Sequence, residues 1–280
     1  RQTIAKEIEL LQDFGMDIKC VKSRQNRYSL VSREFDLAEL KLIIDAVDAC
    51  KFISGRESRK LSGKLAVLAG KNKAEELKRH GSAEGRVRTT NEKTCLIIDA
   101  INTAINAKKK IAFRYFTYDE NKKKVHKHDG ESYAFSPYEL IWDGDRYYML
   151  GWYDKHDQIR IFRVDRISGV PEVLQEKAVK KPAEFSASGY AGKNFSMFKG
   201  DVKEVTLLCD NDTMNAMVDR FGEKVKTEKA DKGHFRLVTE TAESHVFYAW
   251  IFGFQGKVKI EAPEEMRKTY IKMLKNAMKQ

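Results

Sequence analysis

The chain of 280 residues is 42% hydrophobic and 33% charged, and 52 Lys and Arg against 41 Asp and Glu leave a formal net charge of +11. That length exceeds one small core and suits two or three domains, and the positive balance points to a polyanionic partner or to a solvated basic surface. Cys20, Cys50, Cys95 and Cys209 stand far apart with no Cys-x-x-Cys, which supports neither a zinc site nor a disulfide framework and fits a reducing cytosol; no apolar run approaches the ~18 residues of a membrane span.

No signal peptide is visible, and residue 1 is Arg, so the chain is expected to start inside its first domain. Ile4, Ile8 and Leu11 recur at helical spacing, Phe14 completes the stripe, and Gly15 ends it as a C-cap does. Ile18–Ser23 and Arg27–Val31 read as strands around Arg24-Gln25-Asn26. A helix before a basic-tipped hairpin is the back half of a winged helix-turn-helix, whose helix enters the major groove and whose wing touches phosphates. Residues 1–35 are therefore read as a partial DNA-binding domain. Thr3 and Lys6 would face the groove or backbone, and Arg24 and Arg27 would be wing contacts. The rival reading is an amphipathic helix packed on a hairpin, with no nucleic acid.

Residues 36–90 read as a helical linker or dimerisation region. Asp36 can cap a helix with Leu37, Leu40, Ile43, Ile44 and Val47 on one face. Helices over 57–69 and 72–79 follow, the first with Leu61, Leu65 and Leu68 as its stripe, and the polar, Gly-bearing stretch 80–90 marks a boundary.

Residues 91–175 change character. A helix over Asn91–Lys108 turns Leu96, Ile97, Ala100, Ile101, Ala104 and Ile105 inward and leads into a strand over Lys110–Tyr118. Val125–Tyr133 is basic and extended, and His126 and His128 on it read as exposed polar residues rather than metal ligands. Tyr133–Trp142, Arg146–Tyr153 and Arg160–Ile167 form an antiparallel meander, with turns at Asp143-Gly144-Asp145 and Lys155–Gln158. With Ile167–Leu174 added, five or six strands after one helix point to a small, strongly bent β-barrel or sandwich.

The third strand of the meander places Arg160, Phe162 and Val164 on one face and Ile161, Arg163 and Asp165 on the other. Arginines among aromatics are what a phosphate-bearing ligand requires, because a guanidinium grips phosphate bidentately and is always charged. Arg160, Arg163 and Arg166 are the first candidates, although a regular strand cannot turn all three into one pocket, and Arg166 has Asp165 beside it as an ion-pair partner. Tyr115, Ser136, Tyr138 and Tyr148 are candidates for stacking or hydroxyl contacts, each with a core or rim role as the alternative. Tyr147 and Trp152 read as core.

Residues 176–200 are a polar linker whose Phe185, Tyr190, Phe195 and Phe198 should lie against the body. Residues 201–280 run β-α-β-β-α-β-α, with Pro263 in the first turn of the last helix, a ferredoxin-like α+β order. No Ser-His-Asp order, paired carboxylates, Gly-rich phosphate loop or metal cluster is present, so neither an enzyme nor a cofactor nor a metal is expected.

These motifs together resemble the WYL-domain regulators of bacteria. Phe113-Arg114-Tyr115 resembles the lead-in to that domain, Ser136-Pro137-Tyr138-Glu139-Leu140 its strand with a recurrent proline, and Arg160-x-Phe162-Arg163-Val164-Asp165-Arg166-Ile167 its closing Arg-x-Phe-Arg-x-Asp-Arg-Ile motif. Tyr147-Tyr148-Met149 stands where the family has Trp-Tyr-Leu, keeping an aromatic and an apolar residue. The resemblance implies an α+β chain with a partial winged helix-turn-helix, a helical linker, an Sm-like small β-barrel and a C-terminal extension domain often called WCX. It implies a cytoplasmic, homodimeric transcription regulator that binds a double-stranded DNA operator and responds to a nucleotide or short nucleic-acid effector. The rival function is an RNA- or single-strand-binding accessory protein without an operator, since small barrels hold single strands by stacking and charge.

Overall fold

The computed structural model describes residues 2–13, 16, 18–22, 26–30, 35–78, 85–198 and 200–279. The chain forms two units, Arg1–Glu92 and Lys93–Gln280.

In the first unit, α1 spans Gln2–Asp13, and β1 (Ile18–Val21) pairs antiparallel with β2 (Arg27–Leu30). Ile8 is half-buried, but Ile4 and Leu11 of the expected stripe are exposed. Phe14, Gly15 and Arg24 lie outside the described residues, as does the stretch 79–84 of the expected boundary. α2 (Leu37–Ala49) begins with a capping box, in which Glu39 N donates to Asp36 Oδ1 and Asp36 N to Glu39 Oε2, both at 2.8 Å. α3 (Gly55–Leu68) opens with the same device from Ser54 and Glu57, two residues before its expected start, and α4 covers Lys71–Lys78. The core joins Leu40 and Ile44 of α2 to Ala66, Ala69, Ala74 and Leu77. Leu68, expected inside, is 53% exposed. Alanines line the contact instead, because small side chains let helices approach closely.

The second unit begins with α5 (Thr94–Ala107), which buries Thr94, Ile97, Ile101 and Ala104. These recur every three or four residues, and Leu96 lies about 100° off that row, so it is 57% exposed rather than inward. Six strands follow: β3 (Lys109–Tyr118), β4 (Lys124–His126), β5 (Tyr133–Asp143), β6 (Arg146–Tyr153), β7 (Gln158–Arg163) and β8 (Ile167–Lys177). Their order is β4-β3-β5-β6-β7, with β8 also paired to β3, so the sheet curls into a half-barrel over α5. Ile111 of β3 sits between Phe135 of β5 and Val173 of β8.

Three local features fix the sheet's geometry. The β5–β6 turn places Gly144 (φ +58°) and Asp145 between the paired Asp143 and Arg146, with positive φ only at the glycine, as a type II′ turn has it. The β5–β6 register shifts between Pro137 and Glu139, so Tyr138 is the extra residue of a β-bulge. A Cβ on Gly151 would meet Ser136 O at 2.1 Å, so this close strand crossing admits only glycine. The meander's last strand also stops early. β7 ends at Arg163, and Val164-Asp165-Arg166 form a 3-10 turn rather than more strand.

After β8 the linker is partly helical. α6 spans Ala187–Lys193, and Ala187 and Met197 are buried with Leu150 on the back of the meander, beside Tyr148, Ile161, Phe185 and Tyr190. The C-terminal sheet has β9 (Val202–Asp210), β10 (Lys226–Lys229), β11 (His234–Ala242) and β12 (Val258–Ala262) in the antiparallel order β10-β11-β9-β12. α7 (Met214–Phe221), α8 (His245–Gly253) and α9 (Glu264–Ala277) complete it, giving the ferredoxin-like α+β order. Pro263 is the N-cap of α9, one position before its expected place. Among the described residues no helix is long and apolar enough to cross a membrane.

Candidate anion-binding hollow

Alternation along the strands assembles the site. Tyr115 of β3, Tyr133 and Phe135 of β5, Tyr153 of β6 and Phe162 of β7 fall on the face toward α5. Phe162 is the hub: its ring lies 5.1 Å from those of Phe113, Tyr115 and Tyr133 and 5.2 Å from that of Phe135, each nearly edge-to-face. Such pairs contribute about 0.5–1.5 kcal/mol each beyond their buried area.

At the open end of this cluster is a hollow of about 360 Å³. Tyr115, Tyr133, Tyr153 and Phe162 form its aromatic floor, Arg160 and Ile161 of β7 line it, and the exposed Lys127, His128 and His156 stand at its rim. No carboxylate is among its lining residues. The Nε of Arg160 is buried and has no hydrogen-bond partner among the described residues. The charged guanidinium of a residue lining the hollow is suited to an anionic guest. Burial pushes the Tyr133 hydroxyl pKa upward, Tyr153 adds to that, and the Arg160 charge opposes it. Burial also raises Tyr115, to about 12, against the hydrogen bond that its hydroxyl accepts from Arg163 N at 3.2 Å.

The arginine-rich motif therefore splits. Arg160 faces the hollow. Arg163 points to the opposite face, where its Nε and Nη2 donate to Asp165 Oδ1 and Oδ2 at 3.0 and 2.7 Å. Arg146 Nη1 also lies 3.5 Å from Asp165 Oδ2, and Asp165 is 2% exposed. Arg166, displaced by the 3-10 turn, lies over the rings of Tyr118 at 4.7 Å and Phe116 at 5.7 Å. Asp165 thus forms its bidentate pair with Arg163, a partnership that adjacency to Arg166 concealed.

The other candidates also separate. Tyr115 is in the hollow. Ser136 is fully buried, and its Oγ accepts from Val179 N at 3.0 Å; the Tyr138 hydroxyl donates to Lys180 O at 3.3 Å. Both hold the start of the linker, because Ser136 and Tyr138 alternate with Tyr133 and Phe135 and so lie on the opposite face of β5. Tyr148 faces back with Arg163 and lines a second hollow of about 390 Å³, together with Arg146 and Arg220 of α7. Burial pushes Tyr148 upward, with the nearby Arg163 opposing. The Arg220 guanidinium lies 3.9 Å from the Phe195 ring centre, and burial lowers its pKa against the pull of Asp143. Tyr147 is half-buried and packs against the α5-side core, as expected, and Trp152 is half-buried.

Sequence reasoning missed Lys127, His128, Tyr133, Tyr153 and His156. Tyr133 and Tyr153 carried a signal, since both lie in phase with Tyr115 and Phe162 once the register is known. His128 carried none. β4 ends at His126, whose Nε2 meets Ser168 Oγ at 3.0 Å, and His128 then adopts φ +53° in a 3-10 turn. The expected continuous strand 125–133 is therefore broken, and the two histidines part company.

Of the DNA candidates, Thr3, Lys6 and Arg27 are exposed, and Arg24 lies outside the described residues.

The WYL domain family matches residues 97–171 and the WCX domain family residues 201–278. No match was found among curated proteins. Among solved structures, the chain is similar to proteasome accessory factor B/C (PafBC) of Arthrobacter aurescens, at 17% identity over 98% of this chain and with a TM-score of 0.34. It is also similar to a CRISPR Cas-related protein, at 12% identity over 89% of this chain and 74% of that one, with a TM-score of 0.43. The chain spans 40% of the length of PafBC. At those scores neither likeness carries a functional inference.

Proposed function

With a WYL domain at 97–171 and a WCX domain at 201–278, the chain is one of the WYL-domain proteins, and from that premise we propose that it is a ligand-responsive, dimeric, DNA-binding transcription regulator. In this reading residues 1–35 are the end of a winged helix-turn-helix, 36–90 a helical linker or dimerisation region, 91–175 the sensing domain, 176–200 a linker and 201–280 the C-terminal extension. The effector is a nucleotide or a short nucleic acid, held in the hollow around Arg160.

One observation supports the effector class above the others: a cationic, aromatic-floored hollow lined by Arg160 and Lys127, with no carboxylate among its lining residues. Stacking on aromatic rings is worth about 1–3 kcal/mol per base, and a guanidinium–phosphate contact adds a charge-assisted bond. For occupancy to alter DNA binding, the effector must favour one dimer arrangement over the other.

The test is calorimetric titration of the full chain with adenosine 5′-monophosphate, alongside binding to random duplex and single strands across a salt series. Saturable nucleotide binding that Arg160→Ala weakens about tenfold or more supports the reading. Lys6→Ala should lower duplex affinity and flatten the salt slope by about one contact. Tight single-strand binding with indifference to duplex would favour an operator-free accessory protein instead.

A further inference from the structure

Two turns meet at the rim of the hollow, and each brings a histidine. The β4–β5 connection holds His128 in left-handed backbone, a conformation that costs a non-glycine residue energy and clusters at ligand sites. The β6–β7 connection supplies His156. The rings form a continuous ladder: His128 to Tyr133 at 5.3 Å, Tyr133 to Tyr153 at 5.5 Å, and Tyr153 to His156 at 5.4 Å. Lys155 of one turn reaches Glu131 of the other at 3.6 Å, tying the two together.

The charges around the imidazoles are unbalanced. Facing the hollow are Lys127 from the first turn and Arg160 from β7, with the neutral hydroxyls of Tyr115, Tyr133 and Tyr153 from β3, β5 and β6. The nearby acids are engaged or turned outward. Asp154 is held by Lys110 of β3 at 2.6 Å, and Glu176 of β8 shares that lysine at 3.3 Å. Glu131 is paired with Lys155, and Asp129 and Asp157 are exposed turn residues absent from the lining. Two permanent cations match the charge of about −1.5 to −2 on a phosphomonoester better than the single charge of a phosphodiester. The volume, near the lower end of the ~300–1,000 Å³ range for ligand pockets, suits one nucleotide unit.

Resting on the nucleotide reading above, we infer that the hollow selects a terminal phosphate, a phosphomonoester rather than an internal diester, and binds it with proton uptake by His128 and His156. An anion beside an imidazole favours its charged form, so binding draws protons from solvent. Imidazole takes its proton near pH ~6.5 and a phosphomonoester its second near ~6. Affinity is the product of the charged imidazole fraction and the dianion fraction. It therefore peaks near pH ~6 and falls on both sides, whereas a diester, whose charge is constant, loses affinity steadily as pH rises.

The experiment titrates the full chain with adenosine 5′-monophosphate and with adenylyl-(3′→5′)-adenosine from about pH 5 to about pH 8, in two buffers of different ionisation enthalpy. Expected are a maximum near pH ~6, a fall of about tenfold toward pH ~8, net proton uptake between about pH 7 and about pH 8 read from the buffer dependence of the heat, and weaker binding of the diester. His128→Asn with His156→Gln, both at exposed positions, with Asn tolerant of left-handed backbone, should leave monophosphate binding flat on the alkaline side. Monophosphate binding without net proton uptake above about pH 7, a profile unchanged in the double variant, or a diester bound as tightly as the monoester overturns the inference while leaving the nucleotide site standing. A folded protein that binds neither probe at any pH overturns both.

Discussion

On one face of β7, Arg160 borders a hollow with no acid in its lining; on the other, Arg163 is clasped by a buried aspartate. The two guanidiniums are three residues apart on one short strand and of the same chemistry, yet only the first has binding capacity to spare. Carboxylate supply makes the difference. A buried ion pair is locked in place, since removing one partner strands the other in a poor solvent, whereas the Arg160 charge has no acid in the hollow's lining to neutralise it.

The sharpest way to break that comparison is Asp165→Ala. It strands Arg163 and leaves Arg146 only Asp145 at 3.5 Å among the described residues, and with Arg163 partly exposed the expected loss is about 2–4 kcal/mol of stability, read by urea unfolding. A melting point within a degree or two of wild type would show that the pair holds nothing. Next comes Arg160→Ala, which removes a guanidinium that no acid in the lining holds and should cost less stability than Asp165→Ala while removing nucleotide affinity; an equally large stability loss would make the two arginines alike after all. The smallest effect concerns the bridge between the faces, the Tyr115 hydroxyl bonded to Arg163 N. Its folded pKa of about 12 lies above the ordinary value of 10.0, so its contribution is intact below pH 10 and is lost as pH rises toward 12. Tyr115→Phe should cost about 1 kcal/mol at neutral pH and make alkaline unfolding less steep, measured by denaturation across that window.

Much of the fold was legible because local chemistry and global packing agree. Asp36 with Glu39 announces a helix start, Gly144 marks the hairpin, and the alternation in β3, β6 and β7 brings Phe113, Tyr115, Tyr153 and Phe162 to one face. Two misses lie where a local irregularity resets the phase: the 3-10 turn at 164–166 redirects Arg166, and the turn at His128 brings in a side chain that strand periodicity placed elsewhere. Ser136 and Tyr138 alternate with Tyr133 and Phe135, so they fall on the other face of β5 once the buried face is known. Leu68 and Leu96 failed differently: hydrophobicity at helical spacing names candidate faces, but the neighbouring helix or sheet chooses among them.

The 3-10 turn that ends β7 has a wider meaning for anyone aligning chains of this kind. The run from Arg160 to Ile167 looks like a single signature, yet its guanidiniums go to three destinations: a guest's berth, an internal clasp and an outer aromatic shelf. Retention of the second speaks for folding, whereas loss of the first alone alters the lining of the hollow and leaves the clasp intact.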